Sequence, residues 1–230
     1  RKGNFDLQHT IAWNYDAFLS FYNKQGFLIT VGGFRKEIED INFDRDSQEI
    51  IGDQSFSQQE PSNAEGIATV EGVEIEAQLN FRFLPAPFDG LLLSTNTSFI
   101  RTSTFYQQRQ RLENPTRFVD SFIELPMIGQ TDFIFNLSLG YERGGFTGRI
   151  SYIQQGRTVR EVEARAEETR YDGGFNRVDL TFKQRISKNL RLYINMNNLT
   201  NQRDIREAGP FDTRIDEFGM TADFGVQISL

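Results

Sequence analysis

Val73-Glu74-Ile75-Glu76-Ala77-Gln78-Leu79-Asn80-Phe81-Arg82-Phe83 alternates without a break. The odd positions are all apolar and the even positions all polar or charged. Period two puts the two sets on opposite faces of one strand. The same alternation runs through Phe133, Phe135, Leu137, Leu139 and Tyr141, and through Val178, Leu180 and Phe182. It continues in Leu190, Leu192, Ile194 and Met196. It closes with Phe218, Met220, Ala222, Phe224, Val226, Ile228 and Leu230.

Nine segments carry this signal, near 15–22, 27–41, 67–83, 91–103, 131–142, 146–154, 176–186, 190–200 and 215–230. The run Phe5, Leu7, His9, Ile11, Trp13 also alternates, but no turn separates it from the first segment. Tight connections, Asn23–Gly26, Pro85–Gly90, Arg143–Gly145 and Ser187–Asn189, alternate with long polar ones near 44–66, 104–130, 155–175 and 201–214. Strands joined by tight turns are antiparallel neighbours. Short turns on one rim and long loops on the other describe an up-and-down meander of the outer-membrane barrel type.

A soluble antiparallel sheet alternates too, with one face buried and one wet. Three features favour a membrane. Several segments exceed the usual 5 or 6 residues and reach the roughly 9 to 11 that a tilted strand needs to cross a bilayer. The polar face repeats charges, at Glu74, Glu76, Arg82, Arg149, Asp179, Lys183 and Arg191, as a water-filled lumen permits. The apolar face is rich in aromatic residues, some of them near strand ends, and the chain has 22 Phe against 1 Trp. Hydrocarbon leaves no backbone group unpaired, so such a sheet must close. The fold expected is all-β, a transmembrane up-and-down antiparallel barrel.

Composition narrows the function. With 230 residues, 38% hydrophobic, the chain has no run long enough for a membrane-spanning helix. It has no cysteine, so thiolate chemistry and disulfides are excluded. A single histidine, His9, argues against a His-based triad or a two-histidine metal site. No catalytic residue, metal ligand or cofactor is expected. A net charge of -7 argues against nucleic acid. The start, RKGNFDLQHT, lacks the apolar core of a signal peptide, which leaves earlier processing or a fragment boundary as explanations.

Four stretches resemble the TonB-dependent outer-membrane receptors. NYDAFLSFYNKQGFLITVGGFRKEI (14–38) is similar to a "VG.F.K.I" stretch of that family. EGVEIEAQLNFRFLPAPFDGLLLSTNTSF (71–99) is similar to its "GvE…lp.p..gl" hairpin. NLRLYINMNNLTNQ (189–202) resembles its near-terminal "NLtn" strand, and FGMTADFGVQISL its closing strand. The chain departs from many outer-membrane proteins in ending on Leu230 rather than an aromatic residue.

The resemblance implies a 22-stranded barrel in the bacterial outer membrane around an N-terminal plug, energised by TonB–ExbB–ExbD. Nine strands are too few, and odd, whereas bacterial single-chain barrels are normally even. The chain is therefore expected to be the last nine or so strands, 1–230, with the plug and remaining strands outside it. The implied function is uptake of a large scarce ligand: a ferric siderophore, a cobalamin-like molecule, or an oligosaccharide or peptide. Two alternatives stay open: a scaffold subunit of a surface complex, partnered by a surface lipoprotein or other subunits, and a barrel hydrolase acting at its rim.

Within the segment 105–122, Tyr106, Arg109, Arg111, Arg117 and Phe118 are the ligand-binding candidates, since arginines and aromatics suit anionic chelates. The bland reading is a loop packed on its neighbours. The charged run 159–170 suggests a short surface helix, solvated or acting as a lid. Asn96-Thr97-Ser98, Asn136-Leu137-Ser138 and Asn198-Leu199-Thr200 fit the glycosylation pattern but fall on expected strands. The Gly-Gly pairs at 32–33, 144–145 and 173–174 lack phosphate-loop context and fit turns, bulges or close backbone approaches.

Overall fold

A computed structural model describes residues 3–51, 54–112, 117–163 and 168–229, with side-chain placement outside 45–55, 57–59 and 107–120. Nine strands form one antiparallel meander: β1 (Ile11–Tyr22), β2 (Phe27–Glu39), β5 (Glu65–Asn80), β6 (Leu91–Leu112), β8 (Phe133–Arg143), β9 (Phe146–Gln155), β12 (Phe175–Arg185), β13 (Leu190–Asn197) and β16 (Thr221–Ile228). Each pairs with the next in that order. These are the nine expected segments. The early alternating run adds no strand, because β1 starts at Ile11 and runs on unbroken.

Register aligns the two faces across the whole sheet. Phe27, Leu79, Leu93, Leu139, Ile150, Leu180, Met196 and Ala222 lie opposite one another in succession across eight strands. Every side chain in that row is apolar. On the other face Gln78, Ser94, Ser138, Ser151 and Asp179 form a polar row. Among the described residues no second layer covers the apolar face. Leu19 is 62% exposed, Ile194 46% and Phe224 86%. Soluble monomers rarely expose apolar patches above a few hundred Å². The buried apolar residues among those described are Ala64, Ala68, Val70, Tyr106 and Val159, none of them in the apolar row.

Charges bound the apolar face at one end. Tyr15, Arg35, Glu71 and Arg101 are consecutive register partners on that face. Arg35 bridges Glu37 at 3.0 Å and Glu71 at 3.3 Å. At the opposite end Phe27, Phe81 and Phe83 cluster, with ring centroids 5.3–6.5 Å apart. Tyr141, Phe146 and Phe182 form a second cluster with centroids 6.2 Å apart. From Val73 to Phe81 the apolar stretch covers about 20 Å of barrel height at the usual tilt, close to a bilayer's hydrocarbon.

The four long connections are not loops. β3 (Asn42–Ile51) and β4 (Gln54–Asn63) form a hairpin, and β7 (Arg117–Leu125) pairs with the far half of β6. β10 (Thr158–Glu161), β11 (Arg170–Asp172), β14 (Arg203–Ala208) and β15 (Phe211–Glu217) make a separate four-stranded sheet. The strands of this sheet are mostly polar, and their few apolar residues, such as Val159, Ile205 and Ile215, are too sparse to mark an alternating run. The helix expected over 159–170 is replaced, among the described residues, by β10 and the start of β11. The charges pair across strands instead: Arg160 with Asp172 at 3.1 Å and Arg170 with Glu161 at 2.9 Å. The segment expected at 215–230 is two strands, because Gly219, at φ +73°, breaks the chain between β15 and β16. β5 ends at Asn80, where the Asn80 Oδ1 accepts the Arg82 N–H at 3.1 Å, so Arg82 and Phe83 lie in the turn.

Glycines on the polar face sit under aromatic rings. Phe18 lies opposite Gly32, Phe34 opposite Gly72, and Tyr193 opposite Gly225. A β-carbon at Gly32 would collide with the Phe18 ring, so this glycine makes room for a side chain of the neighbouring strand. At Gly72 it would meet the Phe99 carbonyl oxygen at 2.5 Å and Phe34 Cζ at 2.7 Å. Gly72→Val is therefore expected to destabilise the sheet by about 2–3 kcal/mol. The check is the heat-resistant, folded fraction of receptor in outer membranes, which should fall well below that of Gly33→Ala. Gly33 is flanked only at 3.7 Å.

Candidate functional site: the polar face and the strand extensions

Beyond Phe99, its last residue paired with β8, β6 runs on beside β5 and then β7, and carries Thr104 and Tyr106 into a small packed core. Tyr106 is 1% exposed. Its ring stands edge-on to Phe43 at 5.4 Å, and its hydroxyl accepts the Ile128 N–H at 3.0 Å. Burial pushes its phenol above the ordinary range and keeps it neutral. Tyr106 ties the β3–β4 hairpin to the 126–130 turn, a packing role rather than an exposed ligand contact. Arg109, Arg111, Arg117 and Phe118 lie outside the residues whose side chains are described. Their backbones are in register in the β6–β7 hairpin, with Arg109 opposite Asp120 and Arg111 opposite Phe118.

The second extension stands over β9, β12, β13 and β16. Arg157 lies 3.6 Å over the Tyr171 ring and 2.6 Å from the Glu207 carboxylate, fixing β11 against β14. A 560 Å³ hollow opens there, lined by Arg160, Asp172, Phe175, Arg203, Asp204 and Arg206 among others. Composition alone did not single these residues out, because each lies in a stretch that reads as polar connection.

Seven charged residues were expected on the polar face. Glu74 and Glu76 share it on β5. Ser98 Oγ donates to Glu74 at 3.5 Å and Gln78 Nε2 to Glu76 at 2.7 Å. Asp179 on β12 accepts from Arg177 at 3.0 Å and from the Asn198 N–H at 2.9 Å. Arg149, Lys183 and Arg191 share that face on β9, β12 and β13, while Arg82 lies just beyond β5. Sequence reasoning missed Arg185, which the odd-numbered register of β12 puts on the same face. The glycosylation-like asparagines are structural: Asn136 Nδ2 donates to Asn96 Oδ1 at 2.7 Å, and Asn198 anchors a turn.

The described residues hold no cluster of histidines and carboxylates able to bind a metal. Among the described residues no helix is long and apolar enough to cross a membrane.

The sheet, its exposed apolar face and its extended hairpins define a membrane-barrel wall. The model of the family "TonB dependent receptor-like, beta-barrel" matches residues 1–199, and the chain belongs to that family. Its members are outer-membrane receptors and transporters rather than enzymes. Among solved structures, the siderophore receptor PiuA from Acinetobacter baumannii matches with TM-score 0.66 at 16% identity, over 94% of this chain and 28% of that one. The copper transporter OprC matches with TM-score 0.66 at 14% identity, over 98% and 32%. The FrpB iron transporter from Neisseria meningitidis matches with TM-score 0.61 at 15% identity, over 97% and 32%. The chain thus spans about a third of the length of these receptors. No curated protein sequence matches it.

Proposed function

We propose that this chain is part of the wall of an outer-membrane active transporter that takes up a large scarce ligand, a metal chelate first among the candidates. The plug and the remaining strands belong to the same receptor outside residues 1–230, and TonB–ExbB–ExbD acts through the plug. One observation carries the reading: an unbroken apolar row runs in register across eight of the nine strands on one face, with polar residues on the other, within a TonB-dependent receptor family match. The solved neighbours include siderophore, iron and copper receptors, which favours a metal-bearing ligand over a glycan. The arginines of the β6–β7 hairpin and of the β10–β11–β14–β15 hollow suit the anionic oxygens of such a chelate.

The test is uptake of radiolabelled ferric siderophores, cobalamin and oligosaccharides by cells with and without the complete receptor gene. Chelate uptake that needs the gene and stops when a protonophore collapses the proton gradient is the expected result. Uptake of none of the three classes, with the receptor present and folded, would overturn it.

A further inference from the structure

The rim of short turns is cationic in an acidic chain. The four tight connections of the main sheet carry one cation each: Lys24 between β1 and β2, Arg82 between β5 and β6, Arg143 where β8 ends, and Lys188 between β12 and β13. Asp89 is the one carboxylate in residues 23–26, 81–90, 143–145 and 186–189, although the chain as a whole has a net charge of -7. Asp89 meets Arg143 at 3.5 Å. Lys24, Arg82 and Lys188 are exposed and, among the described residues, make no ion pair. The turns join into one rim. Phe27, just past the first turn, packs on Phe83 of the second, Asp89 of the second meets Arg143 of the third, and the Arg185 N–H donates to the Gly145 carbonyl at 2.8 Å beside the fourth. Apolar side chains stand among these cations: Phe83 is 51% exposed, Phe88 56% and Ile186 55%. The Leu84 N–H donates to the Phe81 carbonyl at 2.9 Å and the Phe88 N–H to the Pro85 carbonyl at 3.0 Å, which holds the β5–β6 connection in a fixed shape.

Exposed rings beside cations, at the edge of an apolar face, fit the headgroup layer of a bilayer. There the apolar bodies stay in the membrane while the charged tips reach phosphate. Short turns mark the periplasmic rim of such a barrel. We propose that this rim is a binding site for anionic phospholipid: Lys24, Arg82, Arg143 and Lys188 hold headgroup phosphates of the periplasmic leaflet, and Phe83, Phe88 and Ile186 rest between them. The proposal rests on the receptor reading above. Net charge does the selecting, because a zwitterionic headgroup brings its own cation to its phosphate and phosphatidylglycerol does not. A folded protein fits less well. The four turns join eight of the nine strands, an arc of roughly 40 Å at the usual strand spacing and tilt. The bilayer that bathes the apolar face reaches all of that arc.

The experiment uses the complete receptor in phosphatidylcholine vesicles containing a trace of spin-labelled phosphatidylglycerol or spin-labelled phosphatidylcholine. The fraction of each label immobilised at the protein surface is read. Phosphatidylglycerol is expected to be enriched roughly threefold over phosphatidylcholine. Lys24→Gln, Arg82→Gln and Lys188→Gln together are expected to abolish the enrichment while the barrel stays heat-resistant. Arg101→Gln, at the other end of the apolar face, should leave it unchanged. No enrichment, or an enrichment that the triple variant keeps, overturns the proposal. Should the triple variant fail to assemble, a photoactivatable phosphatidylglycerol on the unaltered receptor maps the contact directly. Adducts on peptides carrying the four turns support the site, and adducts confined to other peptides overturn it. A periplasmic protein cross-linked at position 188 in cells, with no lipid preference in vesicles, also overturns it. A receptor whose apolar face immobilises neither lipid sinks the parent reading, whereas one that immobilises both equally sinks only this site.

Discussion

Ile75→Arg is expected to cost about 2–4 kcal/mol, the penalty of a cation near the middle of the hydrocarbon on a barrel's outer surface. Ile75 sits between Val31 and Thr97 in register, inside the charged edge at Glu71 and above the aromatic cluster at Phe81. Its side chain is 41% exposed. On a soluble sheet a substitution that exposed would change stability by about 0.5 kcal/mol or less. Glu76→Arg, one residue along, points to the polar face and is expected to cost little in either environment. Denaturant unfolding of the receptor in lipid vesicles separates the cases. A large penalty at 75 and a small one at 76 is the expected pair. Equal small penalties would mean that the apolar face does not meet lipid.

Asn198→Ala is expected to cost about 3 kcal/mol, from lost hydrogen bonds and a left-handed backbone that alanine resists. Asn198 has φ +58°. Its Oδ1 accepts the Gln202 N–H at 2.7 Å, and its Nδ2 donates to the carbonyls of Gln202 at 3.2 Å and Gly219 at 2.9 Å. Its own N–H donates to Asp179 Oδ1 at 2.9 Å. One side chain thus joins the top of β13 to the start of β14 and the entry to β16, while its backbone ties to β12. Asn198→Gly keeps the backbone and loses the side-chain bonds, so it should cost less than alanine. The unfolding midpoint measures both. Alanine and glycine variants indistinguishable from wild type would contradict this account of the turn.

The nine spanning strands were legible because a bilayer demands apolar side chains on one face and a wet interior tolerates polar ones on the other. Ile75 and Glu76 announce their faces by chemistry alone. The extensions were not legible, since Asp44 to Asn63 and Arg203 to Ala208 are mostly polar and their few apolar residues, such as Phe56 and Ile205, set up no alternating run. Cross-strand pairs such as Arg170–Glu161 hold them, and a pairing of charges leaves no periodic mark. The candidate site shares that blindness. Tyr106 reads as a ligand contact beside arginines, yet a buried neighbour, Thr104, and an edge-on ring, Phe43, make it a packing residue. Pairing across strands is hidden too: Arg149, Lys183 and Arg191 show their face by alternation, but only register brings Arg185 against Arg191.

The decisive measurement is accessibility along β5. Single nitroxide labels at positions 73 to 78 of the complete receptor in lipid bilayers would be scanned against oxygen, which partitions into hydrocarbon, and a water-soluble nickel chelate. The account predicts high oxygen accessibility at 73, 75 and 77 and low oxygen accessibility at 74, 76 and 78. Labels at 73, 75 and 77 that neither reagent reaches would place those side chains in a protein core, and the membrane-wall reading would fail.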